Sequence, residues 1–186
     1  MTAGQVLYVC RAGNFKKKGL PYKGTLRFLQ VMMRYEYLWV NVRVKGGAYG
    51  CNCGFGVSGE SFFSSYRDPN LRNTVEIYEK AAEAVANFTA NERTMTQYII
   101  GAVSELDTPM NPAAYGLFSQ SAYMCGITQR MLDQEREQLL SATPEGIREL
   151  AEYIRAFMRD DYLCVVGNAQ KIKEEKELFL TTENLY

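Results

Sequence analysis

The sequence predicts an α+β domain in which a mixed or antiparallel sheet carries helices mainly on one face. Three observations lead there. Short runs rich in β-branched and aromatic residues lie near both ends of the chain and in a hairpin-like pair after a long helical stretch, whereas most of the intervening chain has helical periodicity. Strand and helix signals are thus partly segregated, as in an α+β layer architecture. With 186 residues and 47% hydrophobic content, the chain is long enough for one core and is expected to be a single domain over residues 1–186.

Each element follows from local chemistry. Gln5–Arg11 reads as a strand that stops at the loop Ala12-Gly13-Asn14. Residues 22–42 contain no internal proline and carry two apolar stripes, Leu26, Leu29, Met33, Tyr37, Val40 and Phe28, Val31, Tyr35, Leu38, Val42. A helix apolar on most of its circumference is expected to be buried on more than one side. Gly46-Gly47 ends it, and residues 48–55 and 60–66 read as strands joined by Gly56-Val57-Ser58-Gly59. Asp68-Pro69 is expected to open a helix reaching Phe88, with Asp68 as N-cap and Pro69 at the first helical position. Helices follow over residues 91–105 and 112–124, separated by the loop Ser104–Asn111, and then over 128–141 and 144–159, the last opened by Thr143-Pro144-Glu145. Tyr162–Val166 reads as a short buried strand ending at Gly167-Asn168, with a charged helical tail over 169–179. At the ends, Met1-Thr2-Ala3-Gly4 reads as an added start, and Glu183–Tyr186 as either a tag remnant or a natural ending.

Composition excludes several chemistries. There is no histidine, so no Ser-His-Asp triad, Cys-His pair or histidine-ligated zinc or haem site can be built from this chain. Basic and acidic residues balance at 21 each, against the basic excess of a nucleic-acid binder. The one basic run, Lys16-Lys17-Lys18, reads as a solvated loop. Cys10, Cys51, Cys53, Cys125 and Cys164 are odd in number and lack the spacing of a secreted disulfide framework, so a reducing, cytoplasmic setting is expected. Cys51 and Cys53 share a strand face by pleating alone and read as core thiols; no metal is expected on this chain. No apolar run reaches the length of a membrane span, and no signal-peptide pattern opens the chain.

The segment Val42–Gly50 stands out. Arg43 at a helix end is followed by Gly46-Gly47 and then by Tyr49 and Gly50 at the start of a strand, and paired glycines permit close backbone approach, for instance by a peptide. Helix-end chemistry explains part of this pattern, since arginine suits a helix C-terminus and glycine ends helices. A second segment, Ser64-Ser65-Tyr66-Arg67-Asp68-Pro69-Asn70, reads as a strand end and helix cap with Arg67 paired or solvated.

Taken in order, G-G-A-Y-G, then S-Y-R-D-P-N, then Gly126-Ile127-Thr128 ahead of a helix and Val165-Val166-Gly167-Asn168, the chain from Val6 to about Leu180 resembles the C-terminal domain of insulinase/pitrilysin-type zinc metallopeptidases, presequence-protease-like subfamily. The resemblance implies a parent of four related α+β domains that form two halves around an enclosed chamber. It also implies a zinc site on the first domain, supplied by an inverted H-x-x-E-H motif. For this chain it implies substrate and transition-state contacts through Arg43 and Tyr49, with Gly46, Gly47 and Gly50 as supporting backbone. If the domains arose by duplication, Arg27, Gln30 and Val31 stand where the motif would lie, and this chain alone is expected to be inactive and zinc-free. The implied partners are the remaining domains and a peptide substrate, with self-association of the isolated domain through uncovered apolar surface. A stand-alone, non-catalytic binding or assembly subunit of the same superfamily is the alternative reading. An upstream reading frame encoding H-x-x-E-H separates the two.

Overall fold

The computed structural model describes residues 5–184; Met1–Gly4 and Leu185–Tyr186, part of the two terminal readings above, lie outside the described residues. The sheet is wholly antiparallel. Strands β1 (Leu7–Asn14), β2 (Gly50–Phe55), β3 (Glu60–Asp68) and β4 (Tyr162–Gly167) lie in the order β2-β3-β1-β4. The first strand runs three residues further than its sequence reading, because Ala12, Gly13 and Asn14 are paired with Phe62, Ser61 and Glu60. Gly13 also permits the crossing of α7 (Ala151–Met158), since a Cβ there would lie 2.0 Å from the Phe157 carbonyl oxygen.

Alternation divides the sheet into two faces. Leu7, Val9, Cys53, Phe55 and Phe63 are buried beneath the helices. Tyr8, Tyr66, Tyr162 and Val166 lie on the opposite, open face and are exposed. On the covered side, α2 (Arg72–Ala86) buries Val75, Tyr78, Ala82 and Val85, a stripe at helical spacing, and α7 buries Tyr153, Ile154 and Phe157. Phe63 is the hub. Its ring is edge-on to Phe157 at 5.2 Å and tilted against Tyr78 at 5.5 Å.

The long helix spans α1 (Thr25–Met32) and continues as a π-helix over Met33–Lys45. The wider π winding shifts the phase of the apolar stripes: Leu38 and Val42 stay buried, whereas Tyr35 and Val40 turn outward. The helix is therefore buried on several sides only in its first half, where Phe28 packs against Tyr98 at 5.1 Å and Phe88 at 5.9 Å.

Asp68-Pro69 does not cap α2. Asp68 is still the last residue of β3, and its buried carboxylate accepts hydrogen bonds from the Asn70 backbone N–H (2.9 Å) and the Thr74 hydroxyl (2.7 Å), so the helix begins at Arg72. The cap read at Thr143 is present, and the structure adds three that were not read from the sequence. Asn91, Asn111, Thr128 and Thr143 accept N-terminal backbone bonds at the starts of α3 (Glu92–Leu106), α4 (Pro112–Met124), α5 (Gln129–Leu140) and α6 (Pro144–Glu149). The stretch read as one helix over 144–159 is two, α6 and α7, meeting at Leu150. The chain closes with α8 (Ala169–Glu174), opened by Asn168, and a single 3₁₀ turn over Lys176–Leu178. Lys16–Lys18 form an exposed 3₁₀ turn, from which Lys18 Nζ reaches Asp160 Oδ1 at 2.6 Å.

Candidate substrate-contact site

The site is built on the turn that ends the π-helix. Gly47 stands at φ +78°, a left-handed conformation that ends helices, and its N–H donates to the Arg43 carbonyl at 2.8 Å. At Gly46 a Cβ would lie 2.5 Å from the Val42 carbonyl oxygen. Gly50 carries no such constraint, since a Cβ there meets only the Tyr66 ring at 3.9 Å. The turn is tied to the second segment by the Asn70 side-chain amide, which donates to the Gly46 carbonyl, and by the Tyr49 N–H, which donates to the Tyr66 carbonyl at 3.1 Å. Those bonds explain why the two segments work as one unit: S-Y-R-D-P-N braces G-G-A-Y-G.

Arg43 sits in the last helical turn with its guanidinium carbon 3.8 Å from the centre of the Trp39 ring, one turn back. Stacking orients a guanidinium while leaving its N–H fork in the plane free to donate. Tyr49 is 65% exposed, and its ring is edge-on to Tyr66 at 5.5 Å. Tyr66 in turn meets Tyr8 at 5.3 Å, so three tyrosines form a row across one end of the open face. Arg67 lies over this row, 5.8 Å from the Tyr49 ring centre and 5.4 Å from that of Tyr66, with its backbone held at φ +49°. Among the described residues neither Arg43 nor Arg67 forms an ion pair with a carboxylate. Sequence reasoning gave no contact role to Trp39, nor to Tyr66 and Arg67, although these two lie within the S-Y-R-D-P-N segment, and that membership was the available signal.

The thiols nearby are held neutral. Burial is the main cause at both: Cys51 is pushed up to about 11, against a downward pull from Arg43, and Cys53 to about 12. Among the described residues no three His, Cys, Asp or Glu side chains come together as a metal site. Of the residues that a domain duplication would set against a zinc motif, Arg27 Nε donates to Glu135 Oε1 at 2.8 Å and Val31 is buried, while Tyr22 donates to the same Glu135 oxygen at 2.5 Å. A guanidinium, an amide and an isopropyl group offer no ligand set for zinc. The Tyr22, Arg27 and Glu135 cluster instead ties α1 to α5 beside a cavity of about 320 Å³, and burial with the Glu135 hydrogen bond raises the Tyr22 pKa.

These features define a class: an α+β domain that presents arginine and tyrosine side chains at one corner of its antiparallel sheet. Its fold is shared with a zinc-protease candidate from Bordetella pertussis, at a TM-score of 0.60 and 11% identity over 87% of this chain and 92% of that one. It is shared equally with the inactive peptidase domain of a zinc-protease candidate from Bordetella parapertussis, at 0.63 and 12% over 89% and 92%. The chain belongs to the family of PreP C-terminal domains, whose model matches residues 1–169. Relatives include Protein HypA of Clostridium perfringens, 42% identical over 96% of this chain and 18% of that protein. The chloroplastic/mitochondrial presequence protease 1 of Arabidopsis thaliana is 31% identical over 90% of this chain and 16% of that protein. The chain thus spans less than a fifth of the length of either. Among the described residues no helix is long and apolar enough to cross a membrane.

Proposed function

We propose that this domain works as the non-zinc C-terminal domain of a zinc metalloendopeptidase that degrades unstructured peptides in an enclosed chamber. Arg43 and Tyr49 contact the peptide near the bond to be cut. The observation that carries the reading is the pair of guanidiniums with no carboxylate partner among the described residues, one stacked on Trp39 and the other over Tyr49 and Tyr66, at the corner built by the two matched segments. In this role the Arg43 fork donates to peptide carbonyls. The Tyr49 phenol donates to the oxyanion that develops as the scissile carbonyl becomes tetrahedral. Zinc, implied by the zinc-protease names of the structural neighbours, belongs on another domain, since the residues here do not fit it. A reducing, cytoplasmic setting is part of the proposal and rests on the five free cysteines; the relatives named as mitochondrial or chloroplastic come from other compartments.

A photoreactive phenylalanine analogue at position 49 of the full-length parent tests this directly. It is expected to capture an unstructured peptide substrate, and a large excess of unlabelled substrate is expected to abolish the capture. The same analogue at Tyr115 on α4, away from the tyrosine row, is expected to capture another part of the parent instead. Peptide capture at 115 with none at 49 would overturn the assignment.

The position-115 arm follows from α4, a helix none of whose residues is buried. Tyr115, Leu117, Tyr123 and Met124 are 62–87% exposed, and Ile100 on α3 and Leu140 on α5 are exposed as well. Uncovered apolar area of this kind marks a contact surface. The isolated domain is therefore expected to self-associate at high concentration. Sedimentation velocity should show a concentration-dependent shift that Leu117→Asp with Tyr123→Asp removes; a monomer at all concentrations would sink the expectation.

A further inference from the structure

On the open face, β1 and β4 place two cysteines directly opposite each other. Cys10 is the register partner of Cys164, and the flanking pairs Tyr8 with Val166 and Ala12 with Tyr162 are continuous, so the juxtaposition does not depend on a frayed strand end. Both side chains share the face of Tyr8, because alternate residues of a strand point the same way. Cys164 is exposed, Cys10 is half-buried, and both thiols are free.

The hydrogen-bond phase fixes the spacing. The Asn168 N–H donates to the Val6 carbonyl at 3.3 Å, which makes Val6 and Asn168 a hydrogen-bonded pair one step beyond Leu7 and Gly167. Antiparallel pairs alternate in type, so Tyr8 with Val166 and Cys10 with Cys164 are of the hydrogen-bonded type, for which the Cα atoms stand about 5.5 Å apart. Disulfides span Cα separations of about 4.4–6.8 Å, which this pair meets, but the Cβ atoms of a hydrogen-bonded pair stand about 5.5 Å apart against the roughly 3.5–4.5 Å of a disulfide, so closure draws the two strands together locally and leaves a strained bond. The other cysteines have no such geometry: Cys51 and Cys53 alternate along β2 beneath the helices, and Cys125 stands at the exposed end of α4.

We propose that Cys10 and Cys164 are a thiol–disulfide couple, closed by a small disulfide such as oxidised glutathione and reopened by thiols. Cys164, the exposed member, attacks one sulfur of the small disulfide as its thiolate, forming a mixed disulfide and releasing one small thiol. Cys10 then attacks the Cys164 sulfur, the Sγ–Sγ bond forms and the second small thiol leaves. Two cysteine thiols lose two protons and two electrons, and the small disulfide takes them up as two thiols. The order of events follows from access, and it agrees with the Cys10 thiol being raised by burial first and by Cys164 second. An exposed bond of this kind is readily reduced, which makes the couple reversible. β4 lies at the sheet edge and is joined to the sheet through β1, so closure staples that edge across the face that carries the tyrosine row.

The experiment uses the 186-residue chain with Cys125→Ser, folded and dilute, incubated in glutathione buffers of increasing oxidised fraction and then alkylated. The expected product is a monomer lighter by two hydrogens, with one cross-linked peptide joining Cys10 and Cys164 and full recovery of both thiols on adding dithiothreitol. In Cys10→Ser, and in Cys10→Ala should the serine variant unfold, Cys164 is expected to retain glutathione and no internal cross-link to form. Glutathione persisting on Cys164 while Cys10 stays alkylatable in the chain that keeps both cysteines would overturn the proposal. So would alkylation of both residues at every ratio, or a cross-link that joins two chains.

Discussion

In the full-length parent, Tyr49→Phe is expected to lower peptide turnover about a hundredfold to a thousandfold, the loss of ~2.7–4 kcal/mol typical of removing one oxyanion donor. The melting temperature is expected to stay the same. Tyr49 is 65% exposed, and its hydroxyl has no hydrogen-bond partner among the described residues, so losing one oxygen removes nothing that holds the fold. The ring remains to pack against Tyr66, which keeps the corner intact. Because the donor acts mainly as the carbonyl becomes tetrahedral, kcat should fall and KM should change little. Arg43→Ala makes a less selective companion. It also deletes the stack on Trp39, worth about 0.5–1 kcal/mol at an exposed site, so a small stability loss accompanies the kinetic one. If the parent keeps full turnover with both changes, the proposed chemistry is wrong, whatever the family.

Phe63→Ala is expected to destabilise the domain by ~3–5 kcal/mol, a large share of the ~5–15 kcal/mol that holds a typical domain. Phe63 is fully buried and touches rings from three elements: Phe157 on α7, Tyr78 on α2 and Phe55 on β2. No neighbour can fill the gap without moving both helices off the sheet. Phe62, its chain neighbour, faces the other side and is only half-buried, so Phe62→Ala is expected to cost much less. Urea unfolding midpoints of the two variants, at unchanged m-value, make the comparison. Equal losses would show that the two faces of the sheet are not distinguished as described.

Much of this molecule is written locally. Apolar periodicity and turn chemistry placed the four strands, the long helix and the caps at Thr143 and Pro144, because those signals need only residues within a turn or two of each other. The absence of histidine ruled out a zinc-histidine site without any structure at all. The turn that carries Arg43 and Tyr49 was also legible, since a glycine pair marks where a helix end passes to a strand start. What local signals cannot carry is pairing across distance. Whether Gly13 continues a strand depends on β3 lying beside it and on the Phe157 carbonyl crossing over it, neither of which is near in sequence. Asp68 has the composition of a helix cap, yet its pairing with Leu7 keeps it in the sheet and moves the helix start to Arg72. The π winding that turns Tyr35 outward leaves no mark in the apolar spacing. Arg67 over Tyr49 and Tyr66, and Cys10 opposite Cys164, arise in the same way from strand register. Register is set by the burial of one whole sheet face at once, and so it belongs to the tertiary structure.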